Sequence, residues 1–162
     1  MSVRRTLWIG AWVVGLVLLQ YTVRPLLGWR VQVDFLIVAL LMISVRSRPA
    51  VAAFGGFAIG VVTDALTPEA FGAGALAMTV VGFMASWLKA AFFTENLALN
   101  AIFVFAGKWV FDIAYLTASR QAPGADFAIQ VFAWSPLAAA LTAVVGVGVL
   151  VASRPDVKGH RR

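Results

Sequence analysis

Lys108 and Asp112 lie inside the apolar run "LALNAIFVFAGKWVFDIAYLTA", four residues apart, so on a helix they share a face and reach each other. Asn100, Gly107 and Tyr115 fall in the same arc, which gives this stretch one polar stripe. A lone charge at mid-bilayer costs about 3 kcal/mol on insertion scales, and a pair lowers that cost. Three kinds of chemistry are open to the stripe: an ion pair that fixes helix rotation, a polar cavity for a small ligand, or an ion or proton path. An isolated pair makes a poor relay, so the structural ion pair is the expectation carried forward. Removing one member should then destabilise the protein, and replacing both with leucine should restore much of the loss.

A third acid, Asp64, ends a different pattern. Small residues recur every fourth position at Ala52, Gly56 and Gly60, and Asp64 is next on the same line. Small residues at this spacing let two membrane helices approach closely. Gly74, Gly82 and Ser86 form a comparable face interrupted by Met78, and Ala139, Ala143 and Gly146 a third. The stripe serves either packing inside a bundle or the docking of another membrane protein. Asp64 opens "DALTPEAFG", where Thr67 and the N–H groups of a proline-containing turn are at hand. It either locks that turn or makes a functional contact.

Other reactive constellations are missing from the chain. It has no cysteine, and its one histidine, His160, sits in the polar tail "SRPDVKGHRR". There is no glycine-rich phosphate loop, no serine elbow and no histidine–carboxylate metal spacing. Nothing in these residues argues for catalysis, and no catalytic residue, metal or cofactor is expected.

The elements that must position these residues follow from composition. Of 162 residues, 62% are hydrophobic and 12% charged, about half the charged share of a soluble domain. Mean hydropathy is +0.92. The apolar residues fall into blocks at about residues 7–23, 33–45, 50–66, 73–88, 97–118 and 127–152. That pattern predicts an all-α polytopic membrane bundle of about six transmembrane helices in a single domain. The first block follows "MSVRR" and reads as a retained anchor, since "RPLLGWR" after it offers no small-residue cleavage site. The second block is short, rising about 20 Å against a hydrocarbon core of about 30 Å. Asp34 stands where its N-cap would be, unless the helix begins earlier, through "LLGWRVQV".

The net charge of +6 is gathered at the ends of the blocks, which suits lipid headgroups and topology control rather than nucleic acid. Six spans put Arg4, Arg5, Arg46, Arg48, Lys89, Arg154, Lys158, Arg161 and Arg162 on one side, against Arg24, Arg30 and Arg120 on the other. Both termini are therefore expected in the cytoplasm.

Taken together, this layout resembles the MreD family, rod shape-determining membrane proteins of bacteria. The resemblance covers the whole chain in layout and is specific over about residues 33–76. It rests on "VDFLIVALLMISVRSRP" and "GVVTDALTPEAFGAGALA": Asp34, the basic turn Arg46–Arg48, Gly60, Asp64, Gly72 and Ala75–Leu76. Ala70 stands where the family often has a second proline, and the fifth-block charges match no family motif. The resemblance implies a non-enzymatic component of the cell-wall elongation machinery in the bacterial cytoplasmic membrane. Its implied direct partner is MreC, and MreB and the glycosyltransferase–transpeptidase pair that inserts peptidoglycan belong to the same complex. On this reading Ala52, Gly56, Gly60, Asp64 and Gly72 serve packing or the partner. The family's fold is also similar to substrate-binding S components of vitamin transporters. That is the alternative function, with Asp64 and Asp112 near a ligand.

Overall fold

The computed structural model describes residues 33–66, 70–92, 96–120 and 124–152, together with Gly15 and Thr22. Apart from those two residues, the expected first helix, residues 7–23, lies outside the described residues, as does Thr67. The described elements are helical throughout: α1 (Phe35–Ser44), α2 (Pro49–Leu66), α3 (Ala73–Phe92), α4 (Leu97–Ser119), α5 (Ala125–Ile129), a π-helical turn (Gln130–Trp134) and α6 (Ser135–Ala152). Among the described residues, Pro49–Leu66, Leu97–Ser119 and Asp126–Ala152 are long and apolar enough to cross a membrane, and Phe35–Ser44 and Ala73–Lys89 are shorter apolar helices. This is an all-α membrane protein.

The short helix α1 is the centre of the bundle. It is apolar all round, so no face can be left to water, and every residue except Ile43 is buried. α2, α3, α4 and α6 all pack on it. A helix of ten residues rises about 15 Å, half the hydrocarbon thickness, so its terminal backbone groups must be satisfied by protein. Asp34 accepts the Ile37 N–H at the start. At the other end Ser44, Arg46 and Ser47 donate to the carbonyls of Leu40, Met42 and Ile43.

α2 and α3 form an antiparallel hairpin in backbone contact. A Cβ at Gly82 would sit 2.5 Å from the Ala52 carbonyl oxygen. One at Gly56 would strike the Met78 carbonyl, and one at Gly60 the Ala75 Cα. Met78 is thus no interruption of the α3 face: its carbonyl meets Gly56 while its side chain is buried in the core. The third small-residue stripe packs less closely. Ala139, Ala143 and Gly146 are buried, and a Cβ at Gly146 would meet the Val104 side chain at 3.0 Å.

The last block departs from a plain helix. Pro136 has no N–H for the Phe132 carbonyl and its ring crowds that carbonyl, so the ladder widens just before it. The Ser135 N–H reaches five residues back to the Gln130 carbonyl. The Trp109 indole donates to the Val131 carbonyl at 3.0 Å, tying the widened turn to α4.

Candidate functional site

Charge is brought together where α1, α4 and α6 meet. Lys108 lies midway along α4 and is 7% exposed. Its Nζ is 2.5 Å from Asp112 Oδ1 and 3.5 Å from Asp34 Oδ2. The ring of Phe111 lies 5.0 Å from the ammonium and stacks in turn on Tyr115. The Ser135 hydroxyl, beside the π turn, hydrogen-bonds the Asp112 carboxylate. The Asp34 N–H donates to Thr142 Oγ1 at 3.2 Å. One side chain at the start of α1, two on α4 and two on α6 therefore form a connected polar cluster.

The pair read from the sequence is thus a triad. Lys108 and Asp112 do meet at i,i+4, but Asp34, expected as an N-cap alone, is both cap and second carboxylate partner. Ser135 and Thr142 also belong to the cluster and carry no signal in the sequence reading. The supposed stripe is less uniform. Asn100 is buried two turns away, and Gly107 faces the Leu41 side chain, 3.0 Å from a Cβ placed there. Of the triad's two bonds, Lys108–Asp112 lies within α4 and Lys108–Asp34 crosses to α1, tying the half-length helix to its neighbour.

A second polar site closes the α2–α3 hairpin. Asp64 is 3% exposed, and its Oδ2 accepts the N–H groups of Gly72 and Ala75, both at 2.9 Å. A carboxylate on the last turn of α2 therefore caps the first turn of α3, where the helix dipole favours negative charge. Gly72 has φ +94°, a conformation that side chains oppose, and a Cβ at Gly74 would strike the Asp64 carboxylate. Ala52, Gly56, Gly60, Asp64 and Gly72 therefore all act within one hairpin. At its opposite end, Ser86 Oγ and Lys89 Nζ both donate to the Ser47 carbonyl at 2.7 Å.

Asp64→Ala strands the buried Ala75 N–H and the part-buried Gly72 N–H, at about 1–3 kcal/mol for a buried group that no water reaches. A lower melting temperature in detergent is expected, with Asp64→Asn intermediate because one amide oxygen still accepts. Equal melting of all three proteins would show that the cap does not hold the hairpin. Among the described residues no group of three His, Cys, Asp or Glu side chains could hold a metal ion.

Compared with known proteins, the chain matches the family model of the rod shape-determining protein MreD over residues 4–147. No curated protein and no solved structure matches it.

Proposed function

The chain belongs to the MreD family of rod shape-determining proteins, and from that premise we propose that it is a non-enzymatic, multi-pass component of the bacterial cell-wall elongation complex. It sits in the cytoplasmic membrane with both termini in the cytoplasm. It binds MreC directly and, with MreB and the glycosyltransferase–transpeptidase pair, helps to organise peptidoglycan synthesis. The family match carries this reading, and the Asp64 hairpin supplies a means. By bonding across to Gly72 and Ala75, Asp64 ties the end of α2 to the start of α3. Phe71, next to the bonded Gly72, is 66% exposed, a large apolar side chain offered beside the cap.

MreC is the partner this turn receives. Co-purification with tagged MreC tests it, with the amount in the membrane measured alongside. Asp64→Ala and Phe71→Ser should both lower recovered MreC several-fold, by about 1 kcal/mol of lost contact, while the protein remains in the membrane. Full recovery with both variants would reduce the turn to a connection and move the partner surface elsewhere.

A further inference from the structure

While α2 and α3 meet backbone to backbone, α3 and α4 pack together without closing the space between them. Between them a cleft of about 210 Å³ reaches down to Leu41 of the central helix. Its floor of Leu41, Val81, Ala85 and Phe103 is buried, whereas its rims Met84 and Ile102 are 39% and 53% exposed. At the opening α4 presents Ala106, an exposed residue too small to fill it. No polar side chain lines the cleft, so water entering it would find no partners. Left empty, its walls would forfeit dispersion contacts on every side. Its natural occupant is hydrocarbon.

Shape and charge narrow the choice. The cleft follows α3 from Val81 to Leu88 and α4 from Ile102 to Val110, about 10 Å along the helices, an extended form that suits a chain. At its Leu88 end the next residue is Lys89, whose ammonium lies on the Ser47 carbonyl at 2.7 Å. Ser47 is flanked by Arg46 and Arg48, both exposed. A basic collar therefore stands where an apolar channel ends, the complement of a molecule with a hydrocarbon chain and an anionic head. We propose that the α3–α4 cleft binds one acyl chain of an anionic phospholipid, with its phosphate held at Arg46, Arg48 and Lys89.

Nanodiscs of phosphatidylglycerol and phosphatidylcholine, carrying a trace of either lipid with a diazirine on its acyl chain, provide the test. Adducts of the phosphatidylglycerol probe should concentrate on residues 81–88 and 102–110. Ala106→Phe, at an exposed position in the cleft, should abolish them. Met84→Trp closes the same cleft from the opposite rim and should do so even if Ala106→Phe fails to fold. Arg48→Gln should weaken phosphatidylglycerol labelling several-fold, at about 1 kcal/mol per basic residue, and leave phosphatidylcholine labelling unchanged. Adducts spread evenly over exposed positions such as Phe54 and Val144, or labelling unaffected by filling the cleft, would overturn the proposal. So would a cysteine at Ala106 that cross-links in intact membranes to another protein's span, which would give the cleft to a partner helix.

Discussion

Gly60→Leu is expected to lower the folded protein recovered from membranes by about tenfold or more, whereas Gly55→Leu, on the same helix, should leave it nearly unchanged. The two glycines differ in what surrounds them. A Cβ at Gly60 would overlap the Cα and N of Ala75 and the Gly74 carbonyl, while one at Gly55 meets nothing within 4 Å. Overpacked side chains in a core cost about 1–3 kcal/mol because neighbours change rotamer. Here the obstacle is backbone, which cannot change rotamer, so α2 and α3 must separate along their length. Separation also pulls Asp64 from Gly72 and Ala75 at one end, and Ser47 from Ser86 and Lys89 at the other. Fluorescence-detected size exclusion of tagged variants measures the effect. Similar recovery of the two leucine variants would mean that close approach of this hairpin contributes little to stability.

How much of this was legible in the sequence depends on whether an interaction has a local period. Ala52, Gly56, Gly60 and Asp64 lie four apart, so a single helical line and its charged end could be read directly. The answering face on α3 was harder, because a reading based on side-chain size sees Met78 as a break, although its carbonyl makes the contact. Lys108 and Asp112 were legible as an i,i+4 pair. Asp34 was not legible as their partner, since 74 residues separate it from Lys108 and no periodicity links them. An acid opening a helix too short to cross the bilayer was the available clue: such an end lies at mid-depth and needs a partner there. The π turn had its clue too, in Pro136 within a run read as one uninterrupted helix. The α3–α4 cleft has no sequence signature, because it is made of what Ala106 does not fill.

Because Lys108 serves two carboxylates, its loss should be the most damaging single change in the polar cluster. Lys108→Leu leaves Asp34 and Asp112 facing each other in the bundle interior without a cation, and breaking a buried ion pair from one side costs about 3–5 kcal/mol. Asp112→Leu is milder, since the ammonium keeps Asp34 within 3.5 Å and the Phe111 ring within 5.0 Å. The geometry also alters the expectation for the double variant. Lys108→Leu with Asp112→Leu no longer removes all the charge, because Asp34 stays behind without its cation, so recovery should be partial. Adding Asp34→Asn should complete it: the amide is neutral, and its oxygen still accepts the Ile37 N–H that starts α1. Full recovery by the double variant alone would show that Asp34 is not coupled to Lys108. The triple variant separates structure from function as well. If it is as abundant as the native protein and sustains rod shape in cells, the triad serves to hold α1 against α4. If it is abundant but cells round up, the charges act in the elongation complex itself, and the structural role assigned to them is wrong.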